Sequence, residues 1–135
     1  MGKVEIVREW LNRAKSSLAK AKVGKGNADI CLEDLCFDAQ QSIEKSLKSF
    51  LVFLEVDFPK IHSIGKLITL LMQSGVAVPN EIKESAAASY YAVTTRYPGD
   101  WEPVADEDYV WVVNMAERVF CWVQDELKKR GFKEN

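Results

Sequence analysis

Hydrophobic residues recur along most of this chain at steps of three and four positions, the spacing that places them on one face of an α-helix. This pattern predicts a first helix over about residues 4–23 and a second, the longest, over about residues 29–55. Asp29 is the expected N-cap of the second helix, and Pro59 lies beyond its end. No stretch sustains the alternation of apolar and polar residues that is typical of a half-buried strand.

The next part of the chain predicts two shorter helices. Ser63 is the expected N-cap of a helix over residues 64–74, and Gly75 follows it. A fourth helix begins at residue 79 or 80 and is expected to end near residue 94 or 95. Two prolines then bracket a loop over residues 98–103.

The last predicted helix covers residues 106–130, with acidic side chains at its start and basic ones at its end, as the helix dipole favours. Its first apolar stripe consists of Tyr109, Val112, Val113, Ala116, Phe120, Val123 and Leu127. A second set lies round the side of the helix and consists of Val110, Trp111, Met115, Val119 and Trp122. Such a helix is central in its bundle, shared with a partner subunit, or both. The predicted fold class is all-α, an up-and-down bundle of four or five helices in a single domain over residues 1–135.

The composition is that of an ordinary globular domain. The 135 residues include 18 basic and 20 acidic side chains, a net charge of −2, and 47% are hydrophobic. No uninterrupted apolar run approaches the roughly 20 residues that a membrane helix needs, and the first ten residues lack the apolar block of a secretion signal. We therefore expect a cytoplasmic protein that does not span a membrane.

Three cysteines, Cys31, Cys36 and Cys121, form no Cys-x-x-Cys pair, and their odd number favours a reducing compartment. His62 is the single histidine, so these residues make a poor zinc site. We expect buried, unreactive thiols, no metal and no other cofactor.

Positive charge is concentrated at the start of the chain. Residues 1–26 hold seven basic and two acidic side chains. Such a helix is either a surface that meets phosphates or an ordinary solvated face. A sequence pI near 5.5 argues against general binding to nucleic acid.

Three motifs carry a resemblance to a known family. Residues 39–51 read AQQSIEKSLKSFL, which resembles the hallmark helix of HEPN domains, and residues 60–67, KIHSIGKL, resemble the family's step into its third helix. Arg96, Tyr97 and Pro98 match the family's R-Y-P turn before the last helix. The resemblance covers nearly the whole chain. It implies an up-and-down helical bundle, commonly a homodimer, that associates with small nucleotidyltransferases or with nucleotides and RNA.

One feature of the family's ribonucleases is missing. Those members carry an arginine followed by a histidine after four to six intervening residues. No histidine follows Arg96 or Arg118 at that spacing, and no arginine precedes His62 at it. We therefore expect no enzyme. The resemblance implies a non-catalytic nucleotide-binding or substrate-binding subunit that partners a minimal nucleotidyltransferase, in a pair of the toxin–antitoxin type or otherwise. The alternatives are a structural or regulatory homodimer without a ligand and, less favoured, a ribonuclease with an unusual site.

The candidate ligand-binding residues are Gln41, Glu44, Lys45, Lys48, His62, Arg96, Tyr97 and Trp101. In the functional interpretation the polar residues of the second helix line a cleft and meet the phosphates of a nucleotide or a carboxylate of a partner. Alternatively, Glu44 and Lys48, four residues apart, form only an ion pair that stabilises their own helix by roughly 0.2–0.5 kcal/mol.

The other candidates also have two interpretations. His62 either contacts a ligand or packs and caps the start of the third helix. Arg96 either forms a fork for a phosphate or fastens the loop that follows. Tyr97 and Trp101 either stack on a base or anchor that loop.

Overall fold

The computed structural model describes residues 2–92, 99 and 103–134, and its regular elements in those residues are all helical. In chain order they are α1 (Lys3–Val23), α2 (Leu32–Phe53), α3 (Ile64–Gln73), α4 (Asn80–Lys83), a 3₁₀ helix (Glu84–Ala92) and α5 (Asp106–Lys129). The all-α fold class predicted from the hydrophobic periodicity is confirmed. None of the helices among these residues has the length and hydrophobicity required to cross a membrane.

Helix α2 is the centre of the bundle and packs against α1, α3, α5 and the 3₁₀ helix. Its side chains Ile43, Leu47, Phe50 and Leu51 are fully buried. Helix α1 runs antiparallel to α2. A helix surrounded on several sides has to satisfy the polar side chains on its buried faces within the protein, and this requirement shapes the site described below.

The predicted N-cap of α2 is wrong. The helix begins at Leu32 after Cys31, not at Asp29. The side-chain oxygen of Asn27 accepts a hydrogen bond from the backbone N–H of Asp29 at 2.9 Å. The carbonyl of Asn27 accepts a second one from the N–H of Ile30 at 3.1 Å. These bonds hold residues 27–30 in a turn. An asparagine side chain that accepts a hydrogen bond from the backbone N–H two residues later commonly produces such a turn.

The other end of α2 lies two residues before the predicted one. Glu55 has φ of +59°, the left-handed conformation that closes many helices. The N–H of Val56 then bonds to the carbonyl of Leu51 at 2.9 Å. By contrast, the predicted bounds of α1 and α5 agree with the structure to within one residue. The predicted cap of α3 is confirmed, since the Ser63 side chain accepts a hydrogen bond from the N–H of Lys66.

The predicted fourth helix is an α-helix for a single turn and then tightens into the 3₁₀ helix. The hydroxyl of Ser85 donates to the carbonyl of Ile82 at 2.6 Å, and the N–H of Ile64 in α3 donates to the hydroxyl of Ser89 at 3.0 Å. Side-chain bonds of this kind compete with the α-helical pattern. The small residues between these serines let the segment lie close to α3. The predicted end near residue 94 or 95 is outside the described residues.

The second apolar set of α5 divides between the core and the surface. Met115 and Val119 are buried, and the half-buried Trp122 packs on the ring of Phe50 with centroids 5.6 Å apart. Val110 and Trp111 are 52% and 37% exposed. Most of this set therefore completes the core, whereas Val110 and Trp111 in the second turn of α5 are exposed, and their contact with a partner subunit stays a prediction.

The expectation of buried thiols is correct for one cysteine and wrong for two. Cys36 is buried, whereas Cys31 and Cys121 are exposed. Burial raises the pKa of the Cys36 thiol to about 12, and the negative charges of Asp108 and Glu33 add to the shift. Cys31 is exposed because it precedes α2, and Cys121 because it lies on the outward side of α5.

The thiols are expected to react with an alkylating reagent in two classes. At mildly alkaline pH, Cys31 and Cys121 should be labelled in the native protein, because the reagent can reach their exposed thiols. Cys36 should be labelled only after unfolding, since its raised pKa keeps it protonated. Mass spectrometry with and without urea measures this. Labelling of Cys36 as fast as that of Cys121 would contradict the described burial.

Candidate functional site

A buried carboxylate is the centre of the site. Glu44 lies in the middle of α2 and is 1% exposed. One turn before it, Gln40 donates from Nε2 to Oε1 at 2.7 Å, and one turn after it, Lys48 donates from Nζ to Oε2 at 3.4 Å. The third contact comes from outside the helix, where Nδ1 of His62 lies 3.0 Å from Oε1. A buried charge is tolerated when it is paired and hydrogen-bonded, and these three groups supply that compensation.

His62 is exposed although its contact atom points inward. Its side chain is 69% exposed, and it stands between α2 and α3. A carboxylate only accepts hydrogen bonds, so the proton of this contact belongs to Nδ1 of the ring. In the neutral ring, Nε2 is then left as an acceptor, and the carboxylate holds the orientation of the imidazole.

The chain on the far side of His62 is fixed as well. The Ser63 hydroxyl caps α3 at 3.3 Å from the N–H of Lys66, and Ser89 binds the N–H of Ile64. The ring of His62 is therefore held by Glu44. The chain that follows it is held by two hydrogen bonds from backbone N–H groups of α3 to serine hydroxyls.

Lys48 is held by aromatic rings as well as by Glu44. Its Nζ lies 5.5 Å from the ring centroid of Trp10 in α1 and 5.8 Å from that of Phe58. The two rings contact each other edge to face at 6.4 Å. A cation near aromatic faces gains electrostatic stabilisation, more so where water is largely excluded. Only 9% of Lys48 is exposed, so its charge interacts mainly with buried groups and little with solvent.

The structure separates the remaining candidates of α2. Gln41 stands at the edge of the cluster and donates from Nε2 to Oε1 of Gln40 at 2.8 Å. Lys45 points to α1, where its Nζ donates to the Ser17 hydroxyl at 2.8 Å. Of the predicted set, Glu44, Lys48 and His62 are thus in direct contact, Gln41 is joined through Gln40, and Lys45 has a different neighbourhood. Three further candidates, Arg96, Tyr97 and Trp101, lie outside the described residues.

Sequence reasoning missed three members of this cluster. Gln40 stands one turn before Glu44 inside the recognised motif, and that spacing was a usable signal. Trp10 and Phe58 lie outside all three motifs. Their contact with a lysine depends on the approach of α1 to the end of α2, which no local pattern encodes.

The basic residues of the first segment are largely neutralised by neighbours. The ion pairs are Arg13 with Glu9 at 3.0 Å, Lys20 with Asp38 at 3.3 Å, Lys22 with Glu117, and Lys25 with Asp106 at 2.7 Å. Arg8 donates to the backbone carbonyls of Lys133 and Glu134, and Lys3 lies over the Phe53 ring. Three of the four ion pairs join the first segment to another helix. These contacts favour an ordinary helix face over an extended phosphate-binding surface.

Replacing Glu44 with Gln is expected to lower the free energy of unfolding by about 3–5 kcal/mol, because it leaves the Lys48 ammonium without its buried counter-charge. Urea unfolding of Glu44→Gln measures this. Adding Lys48→Met to that variant should restore part of the loss, since the uncompensated charge is then gone. A loss below about 1 kcal/mol for the single variant would show that the pair behaves like a surface ion pair.

Comparison with known proteins agrees with this architecture. A family model described as HEPN domain matches residues 7–127. TT1696 from Thermus thermophilus is 28% identical, with a TM-score of 0.74 over 90% of this chain and 98% of that one. ST0689, an archaeal HEPN homologue, is 26% identical, with a TM-score of 0.71 over 94% and 99%. No curated protein matches the chain significantly. With a family model that spans most of its length, the chain belongs to the HEPN domain family.

Proposed function

We propose that this HEPN protein is a non-catalytic nucleotide-binding subunit that acts beside a separate, minimal nucleotidyltransferase in the cytoplasm. The observation that carries the proposal is the exposed imidazole of His62, held by a carboxylate that is itself buried. Water can solvate an exposed imidazole, so the ring does not need a carboxylate partner for its own stability. A fixed ring with one free nitrogen is a group prepared for a ligand, because its orientation is set before binding.

The free edge of His62 suits the polar groups of a nucleotide. Nε2 accepts a hydrogen bond from a base when the ring is neutral and donates to a phosphate oxygen when the ring is protonated. Lys60 and Lys66 are exposed on either side of it in the sequence and add positive charge. The N–H groups of Ile64 and Lys66 are occupied by serine hydroxyls, so side chains rather than the helix start would hold the phosphate.

The non-catalytic part of the proposal rests on the sequence. His62 is the single histidine, and no arginine stands at the spacing that the family's ribonucleases use. The arginine of that spacing would stabilise the charge of a phosphate under attack, and the sequence does not place one there.

The partner part of the proposal rests on α5. Val110 and Trp111 expose apolar surface at its second turn. Exposed aromatic residues are frequent anchors of protein interfaces. We assign this surface to contact with a second copy of the chain, the nucleotidyltransferase, or both in one assembly.

Nucleotide binding is expected to raise the melting temperature of the purified protein. A nucleotide at about 100 times its Kd stabilises the native state by about 2.7 kcal/mol, which is a shift of several degrees in a domain of this size. A screen of the common nucleoside mono-, di- and triphosphates by thermal shift measures it. The shift should be lost in His62→Ala and kept in the control Lys128→Ala, which changes an exposed lysine at the far end of α5.

Two results would contradict this part of the proposal. No shift with any nucleotide at millimolar concentration would exclude binding by the chain alone. Cleavage of RNA by the purified protein, lost in His62→Ala, would overturn the non-catalytic assignment and favour the ribonuclease alternative.

Association through α5 is expected to depend on Trp111. Sedimentation over a range of concentrations should show a dimer that Trp111→Glu converts to a monomer. Met72→Glu is the matched control, since Met72 is also an exposed apolar residue but lies on α3. Co-expression with a nucleotidyltransferase encoded beside this protein should give a complex that the same variant weakens. A monomer at every concentration would contradict the homodimer, and equal behaviour of both variants would contradict the role of this surface.

A further inference from the structure

Four side chains of the site form one chain of hydrogen bonds with a single direction. Gln41 donates from Nε2 to Oε1 of Gln40 at 2.8 Å, and Gln40 donates from Nε2 to Oε1 of Glu44 at 2.7 Å. Nδ1 of His62 lies 3.0 Å from the same carboxylate oxygen. An ionised carboxylate only accepts hydrogen bonds, so Gln40 has to turn its NH₂ group toward Glu44 and its oxygen toward Gln41.

The orientation of the Gln41 amide follows from that of Gln40. A glutamine at a surface can usually rotate its amide by half a turn and offer either a donor or an acceptor. At Gln41 this rotation would place its oxygen against the oxygen of Gln40 and break the bond between them. The NH₂ group of Gln41 is therefore fixed inward, and its Oε1 is left as an acceptor without a hydrogen-bond partner among the described residues. Gln40 is fully buried, whereas Gln41 is half-buried and reaches the solvent.

His62 ends the chain in the same way. Nζ of Lys48 lies 3.4 Å from Oε2 of Glu44 and supplies one positive charge for the one negative charge of the carboxylate. A neutral imidazole thus leaves the cluster without net charge, which is the state that burial favours. With its proton on Nδ1, the ring exposes Nε2 as an acceptor. Both outward ends of the chain, Oε1 of Gln41 and Nε2 of His62, are therefore acceptors.

We propose that the site selects nucleotides whose base carries an exocyclic amine, as adenine and cytosine do, and that Gln41 recognises this amine. The selectivity rests on the proposed function, since it presupposes that a nucleotide binds beside His62. An N–H of the amine donates to Oε1 of Gln41. The second hydrogen on Nε2 of Gln41 is available to the ring nitrogen next to the amine, the kind of paired contact by which glutamine recognises adenine.

Bases with a carbonyl in place of the amine are disfavoured by the same geometry. Hypoxanthine and uracil would turn an oxygen toward Oε1 of Gln41, with no hydrogen between the two acceptors. Gln41 cannot adapt to such a base by rotating its amide, because Gln40 and Glu44 hold it. Sites built to bind an N–H group discriminate strongly against analogues that lack it, since a polar group of the site is then left unpaired.

The test compares two matched pairs of nucleotides by isothermal titration calorimetry at mildly alkaline pH. AMP and IMP, and likewise CMP and UMP, have the same sugar and phosphate and differ in the amine or carbonyl of the base. AMP is expected to bind at least about tenfold more tightly than IMP, and CMP at least about tenfold more tightly than UMP. This comparison uses the unchanged protein and does not depend on the folding of any variant.

A variant assigns the preference to one residue. Gln41→Met keeps the length of the side chain and removes the amide, so the affinity for AMP should fall to that for IMP, with IMP itself unchanged. Gln73→Met is the matched control, because Gln73 is an exposed glutamine at the end of α3, and it should keep the full preference. Urea unfolding of both variants shows that they are folded.

The outcomes separate this selectivity from the proposed function. Nucleotide binding with equal affinities for AMP and IMP would overturn the selectivity and leave the proposed function in place. A preference that persists in Gln41→Met would overturn the role of Gln41. No binding of any of the four nucleotides at millimolar concentration would overturn nucleotide binding by this chain and the selectivity together.

Discussion

The compensation of one buried negative charge constrains much of this structure. Glu44 lies in the central helix, away from water, and its two oxygens receive donors from three directions. Two of those donors are on α2 itself, one turn away on each side. The third belongs to the segment before α3, so the charge fastens that segment to the bundle. Because Lys48, which compensates the charge of Glu44, also contacts Trp10, it links α2 to α1 as well.

This arrangement explains how a helical bundle presents a fixed polar group without a loop scaffold. The imidazole of His62 is on the surface, but its orientation is decided in the interior. A free surface histidine would sample several rotamers, and binding would have to restrict them. The interior carboxylate removes that cost before any ligand arrives. The proposed function depends on this coupling between a buried acid and an exposed ring.

Most of the positive charge of the first segment is paired with acidic side chains in the folded protein. Most of its cations join helices together, as Lys22 does with Glu117 and Lys25 with Asp106. Arg13 and Lys20 are ion-paired as well, with Glu9 and Asp38. Charge content alone therefore does not locate an anion site. What matters is which cations lack a well-placed opposite charge after folding.

The sequence by itself determined the helices, their order and most of their ends, because hydrophobic periodicity and caps such as Ser63 act within a few residues. It also indicated the family and placed Glu44, Lys48 and His62 among eight candidate residues, but it did not predict that these three contact one another. Only the tertiary structure decided that Lys45 turns to Ser17, that Trp10 meets Lys48 and that Cys31 and Cys121 are exposed. It also decided where an α-helix gives way to a 3₁₀ helix after Lys83. Those outcomes depend on contacts between segments far apart in the chain, where no local spacing rule applies.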